Sequence, residues 1–207
     1  MKPRTAALAA AAGLAAALGG IAAWYLGPVP LETILERQTV ADRPNVGGPF
    51  TLVAQNGETV TEKTFRGKFL LVFFGYTFCP DICPTTLAKV SQALDLLGND
   101  AERVRPLFIT VDPARDTPQV LADYVGHFHP RILGLTGTPE QIAAVAMAYR
   151  AYYAKAPGGT GDDNYLMDHS ALLYLMAPNG AYLTAFSPET PPNELAEAIR
   201  GYLHATS

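Results

Sequence analysis

The sequence predicts an α/β protein, a mixed sheet flanked by helices and preceded by an N-terminal transmembrane helix. Three observations carry that reading. Phe69 to Phe74 is short and continuously apolar, as a central strand covered on both faces must be. Apolar strand-like runs then alternate with segments of helical spacing as far as the C-terminus. Near the start, Thr5 to Leu26 contains no charged residue.

At a helical rise of ~1.5 Å per residue, the stretch 5–26 would extend about 33 Å, enough to cross a bilayer. Lys2 and Arg4 precede it, so residues 1–4 are expected in the cytoplasm and the rest of the chain is expected to be exported. We read a signal-anchor; a cleaved signal peptide is the competing reading, because small-x-small triplets are available. A lipoprotein anchor would need a cysteine here. Residues 27–47, with Pro28, Pro30, Pro44 and Gly47, suit a tether, and residues 48–207 form the expected domain.

The domain opens with a hairpin, Phe50 to Val53 and Glu58 to Val60 around Asn56-Gly57. The central strand follows, then a helix with Leu87, Val90 and Leu94 on one face and Pro84 at its first position. Val104 to Val111 is a second apolar strand. Thr117 caps and Pro118 opens a helix expected to reach about Phe128. Arg131 to Leu135 is a short strand or extended link. Thr138 and Gln141 form a capping box for a helix that carries Ile142, Val145, Ala146 and Tyr149 inward and fades near Tyr153. Ala156 to Gly161 is a Pro/Gly-rich loop. Ala171 to Ala177 and Tyr182 to Phe186 flank the turn Asn179-Gly180, and Thr190-Pro191 starts a terminal helix with Leu195, Ile199 and Leu203 inward.

Of 207 residues, 49% are hydrophobic and 16% charged, which suits one anchor and one domain able to bury its own core. The net charge of −4 and the scattered lysines and arginines argue against a nucleic-acid partner.

Both cysteines of the chain, Cys79 and Cys83, fall at the junction of the central strand and its helix. With Pro84 at the first helical position, Cys83 is expected at the cap. A thiol there feels unpaired backbone N–H groups and the positive helix end, which favour the thiolate. The spacing C-x-x-x-C lets two sulfurs converge as a disulfide or on one soft metal ion. A purely structural bridge would close only three intervening residues and remove little chain entropy, so function is the better reading.

A two-thiolate site gains from an imidazole. Among the four histidines, His169 in Asp168-His169-Ser170 stands at the mouth of a strand, beyond the glycine-rich loop. Spacing alone leaves it open between a ligand and a hydrogen-bonded structural residue. His127 and His129 fall at a helix end, where they are expected to meet the last carbonyls, and His204 is expected to be solvated. Met147, Met167 and Met176 are read as packing rather than thioether ligands. Asp112, Arg115 and Asp116 are read as turn chemistry before a capped helix.

The segments Gly75-Tyr76-Thr77-Phe78-Cys79-Pro80-Asp81-Ile82-Cys83-Pro84, Val111-Asp112-Pro113-Ala114-Arg115-Asp116-Thr117-Pro118 and Asp168-His169-Ser170, with Tyr174-Leu175 and Pro178-Asn179-Gly180, closely resemble the Sco/SenC family. Its members are membrane-anchored copper chaperones of cytochrome c oxidase assembly. The resemblance runs from about Gly48 to the C-terminus. It implies a thioredoxin-like fold and copper as cofactor, Cu(I) or Cu(II), with Cys79, Cys83 and His169 as ligands and Cys79 with Cys83 as a redox-active disulfide. Asp112 and Asp168 match motif positions that are not direct ligands, and Asp168 is expected to orient His169. The implied partners are the copper-bearing subunit of cytochrome c oxidase or another copper-site apoprotein, and a thioredoxin-like reductant. The implied location is a bacterial inner membrane, single-pass, with the C-terminal domain in the periplasm.

Two functions remain open. A metal carrier would bind Cu(I) and pass it on by ligand exchange, without being an enzyme. A thiol–disulfide oxidoreductase would cycle Cys79 and Cys83 to reduce a partner's cysteines, and would be an enzyme. The carrier is preferred, because thioredoxin-like enzymes place a proline where this chain has Met167-Asp168-His169-Ser170.

Overall fold

In the computed structural model, residues 45–157 and 165–205 are described. The expected transmembrane segment 5–26, and the tether up to residue 44, lie outside them. Among the described residues no helix is long and apolar enough to cross a membrane.

The all-apolar run becomes β3, Phe69–Gly75, and every residue in it is buried. It pairs in parallel with β4, Val104–Thr110, and antiparallel with β8, Leu173–Met176. Around this centre the strands β1 (Thr51–Ala54), β2 (Thr59–Thr61), β5 (Leu133–Thr136) and β9 (Tyr182–Phe186) complete a seven-stranded sheet of order β2-β1-β5-β4-β3-β8-β9. Among the described residues, four α-helices accompany it: α1 (Ile82–Leu97), α2 (Pro118–Val125), α3 (Pro139–Ala148) and α4 (Pro192–Ala205). The sheet is mixed, as expected for an α/β chain with hairpins at both ends and βαβ units between.

Both predicted hairpins form. In the first, Leu52 faces Val60 with Gly57 at φ +84°. In the second, Leu173 faces Phe186, and Gly180 takes φ +83° at the turn. Positive φ costs glycine nothing, so these turns close without strain. The cap on α3 is the capping box read from the sequence. Thr138 Oγ1 accepts from Gln141 N–H at 3.3 Å, and Gln141 Oε1 accepts from Thr138 N–H at 2.8 Å. Thr117 caps α2 through Val120 N–H at 3.3 Å. Leu195, Ile199 and Leu203 of α4 are all buried.

Several boundaries differ from the prediction. Helix α2 stops at Val125 rather than Phe128, because the bonds from His127 to Tyr124 and from Phe128 to Val125 are one residue tighter than α-helical ones. Helix α3 ends at Ala148, where Arg150 turns the chain at φ +55°. Strand β6, Tyr153–Lys155, comes next and pairs antiparallel with β7, Met167–His169, as a separate two-stranded sheet. Helix α4 starts at Pro192, with Leu195 N–H bonded to the Pro191 carbonyl, one residue later than read. Asn45 to Gly47, assigned to the tether, already lie in the compact unit Asn45–Ser207: Gly47 N–H donates to the Ala148 carbonyl at 2.9 Å. Met167 and Met176 are buried as expected, but Met147 is 77% exposed.

Candidate metal centre

The two cysteines sit at the C-terminal end of β3, and their placement begins with the helix start. Helix α1 begins at Ile82, so Cys83 is inside the first turn rather than at the cap, and Pro84 follows it at the third helical position. Pro84 is tolerated there because the first-turn N–H groups have no intrahelical partner. Asp81, the residue at the cap, makes no side-chain capping bond. The free N–H of Cys83 donates instead to Cys79 Sγ at 3.4 Å. A cysteine sulfur thus accepts where a capping oxygen ordinarily does.

His169 reaches the pair from β7. It ends that strand opposite Tyr153, and its ring stands edge-on to Phe73 and Tyr76 at centroid distances of 6.2 and 5.7 Å. Its Nδ1 is 3.1 Å from the Ser170 carbonyl. A carbonyl can only accept, so Nδ1 carries the hydrogen and Nε2 offers its lone pair. Nε2 is 3.4 Å from Cys83 Sγ. Asp168, expected to orient His169, is exposed, and the Ser170 carbonyl occupies the position that would set the tautomer.

Cys79, Cys83 and His169 place one ligand atom each within 4.8 Å of one another. Two thiols and an imidazole are a donor set for a soft ion such as copper. The space was kept for sulfur: a Cβ built on Gly75 would fall 2.7 Å from Cys83 Sγ and 2.6 Å from Phe108 Cε2. Both thiols are free, Cys83 fully buried and Cys79 9% exposed. The Cys79 thiol is held well below the ordinary thiol range, first by its hydrogen bond with Cys83, against the opposing effect of burial, and then by His169 and backbone N–H groups. The same hydrogen bond and burial push Cys83 up. The pair therefore loses its first proton easily, and the proton that stays resides on Cys83.

The other candidates lie elsewhere. His127 Nδ1 bonds the Asp123 carbonyl at 2.7 Å at the end of α2, the helix-end role read for it. His129 Nδ1 accepts from Arg131 N–H at 3.1 Å, and its Nε2 is 3.7 Å from Asp95. His204 stands 3.9 Å from Asp100. Asp116 is fully buried and accepts from Thr77 N–H at 3.1 Å, Thr77 Oγ1 at 2.6 Å and Thr110 Oγ1 at 2.6 Å. It thereby ties the cysteine-bearing turn to the end of β4. Burial raises its carboxyl, with the threonine donors opposing. Asp112 accepts from Arg115 and, at 2.7 Å, from the Tyr165 hydroxyl. Tyr76 and Gly75 had a signal in their place beside Cys79. Tyr165 had none, because it belongs to no periodic segment of the sequence.

Fold and site together define a mixed α/β domain that presents two thiols and an imidazole at the end of its central strand, a group that could hold copper. The SCO1/SenC family model matches residues 38–204, and the chain belongs to that family. Protein SenC of Rhodobacter capsulatus is 42% identical over 206 residues, 98% of this chain and 91% of that one. Among solved structures, Bradyrhizobium japonicum ScoI with copper bound is 46% identical, with a TM-score of 0.71 over 76% of this chain and 99% of that one. BsSco, a member of the Sco family of cytochrome c oxidase assembly proteins with a disulfide switch, is 26% identical, with a TM-score of 0.62 over 77% of this chain and 95% of that one.

Proposed function

We propose that this chain is a membrane-anchored copper chaperone with a thioredoxin-like domain, which binds copper through Cys79, Cys83 and His169 and delivers it to the dinuclear copper centre of cytochrome c oxidase. The convergence of two thiols and an imidazole nitrogen within 4.8 Å carries this reading. The copper-bound ScoI relative and the oxidase-assembly family of BsSco support it. The ion is cargo: it enters on the thiolates and leaves by ligand exchange, and no substrate bond is made or broken. The anchor at 5–26 would hold the domain on the periplasmic face of a bacterial inner membrane, next to the oxidase subunit it loads.

A second reading rests on the Cys79 thiol, which ionises readily beside a protonated Cys83, the arrangement a thiol–disulfide oxidoreductase needs. The two roles are compatible, since a pair that oxidises must be reduced by a thioredoxin-like partner before it can load. Mixing the copper-loaded chain with the metal-free copper-bearing oxidase subunit under anaerobic conditions tests the first reading. Copper should move to the subunit with the chaperone's cysteines left reduced. Copper that stays put, while the Cys79–Cys83 pair becomes a disulfide as it reduces a disulfide of the subunit to two thiols, would favour the second.

A further inference from the structure

The three donors come from two pieces of chain, the β3–α1 turn and the short β6–β7 sheet, and something must hold the second on the first. Among the described residues, β7 pairs with β6 alone. Some contacts to the main body are direct: the His169 ring stands edge-on to Phe73 and Tyr76, and Met167 N–H donates to the Tyr76 hydroxyl at 3.2 Å. A further one runs through Arg115. Its Nε bonds Asp112, and a terminal nitrogen donates to the Tyr165 carbonyl at 3.0 Å. The Tyr165 hydroxyl returns to Asp112 at 2.7 Å. The guanidinium carbon lies 3.7 Å from the Tyr165 ring centroid, 4.7 Å from Phe78 and 5.8 Å from Tyr76. Phe78 is next to Cys79, and Tyr165 is four residues before His169. One planar cation thus touches the cysteine turn, the loop after β4 and the chain entering β7. A guanidinium can bond in its plane and stack on its faces at once, which an ammonium cannot.

We propose that Arg115 is a positioning residue for the metal centre: clamped by Asp112 and Tyr165 and stacked on Phe78, it fixes the His169 arm over the cysteine pair. This inference rests on the copper-binding reading above. It assigns Asp112 its part, as the anchor of Arg115 rather than a neighbour of the metal. Outer partners of this kind typically change metal affinity ten- to a hundredfold.

The test is a double-mutant cycle on the full-length chain, reduced, titrated with Cu(I) against a competing chelator. Arg115→Ala should weaken copper binding about tenfold when His169 is present. In the His169→Ala background the same change should cost less than about twofold, because the arm no longer carries a ligand. In the metal-free chain, Arg115→Ala should speed amide exchange across residues 165–169 and leave residues 82–87 unchanged. An equal loss in both backgrounds, or faster exchange in both segments, would mean that Arg115 supports the fold at large, and the proposal fails. No loss in either background also overturns it. Should Arg115→Ala fail to fold, Tyr165→Phe removes only the hydroxyl bond to Asp112 and is read by the same cycle. A wild-type chain that bound no copper would defeat the chaperone reading instead, and the exchange experiment would still decide whether Arg115 holds the arm.

Discussion

The Nε2 of His169 lies 3.4 Å from the Sγ of Cys83, although 86 residues separate them in the chain. The Ser170 carbonyl fixes the tautomer, and the edges of Phe73 and Tyr76 fix the ring. His169→Ala should therefore leave the metal-free domain folded and weaken copper binding by at least the ten- to hundredfold typical of outer-sphere changes. His127→Ala with His129→Ala should leave copper affinity unchanged. Competition titration of the two variants decides. If the 127/129 variant lost copper and His169→Ala kept it, the wrong imidazole has been assigned.

Gly75→Ala would push a methyl group toward Cys83 Sγ, at 2.7 Å, and Phe108, at 2.6 Å, inside a fully buried strand. Overpacking of this kind costs about 1–3 kcal/mol. Urea unfolding should show that loss, and copper titration should show weaker binding, since the sulfur itself must shift. Unchanged affinity with reduced stability would show that the sulfur's position is not critical.

The acid limit of thiol reactivity follows from the two cysteine shifts. A thiol whose pKa is lowered keeps its thiolate as the pH falls below the usual thiol range, and one whose pKa is raised does not. Iodoacetamide at pH 6 should therefore modify Cys79 and spare Cys83, as peptide mapping would show. Preferential labelling of Cys83, or none of either until pH 8 or above, would contradict the assignment of the retained proton.

Asp116→Ala would leave the Thr77 N–H and the hydroxyls of Thr77 and Thr110 without their acceptor. Each unsatisfied buried group costs about 1–3 kcal/mol, so thermal unfolding should fall by several degrees. Because Thr77 leads into Cys79, copper affinity should drop as well. Wild-type stability would show that water replaces the carboxylate.

Much of the fold was legible because local chemistry and tertiary need agree. The all-apolar β3, the Asn-Gly turns at residues 56–57 and 179–180 and the Thr138–Gln141 box each specify their element from within a few residues. The β6–β7 sheet was not legible, because strands of 3 residues leave no period to read and no turn signal adjoins both of them. The start of α1 differs from the expected one for a related reason: the proline suggests a first helical position, yet the Cys79 sulfur caps the helix two residues earlier. Cys79 and Cys83 stood out by their place at the strand–helix junction and their spacing, and His169 through motif resemblance, whereas the bridge from Asp112 through Arg115 to Tyr165 exists only in three dimensions.

The central claim is that two free thiolates and His169 make one copper site, and copper stoichiometry in the two redox states tests it most directly. The reduced full-length chain should bind one copper ion per chain, and the chain with Cys79 and Cys83 joined should bind almost none, because a disulfide sulfur is no longer a thiolate donor. Equal copper retention by the oxidised chain would contradict the account.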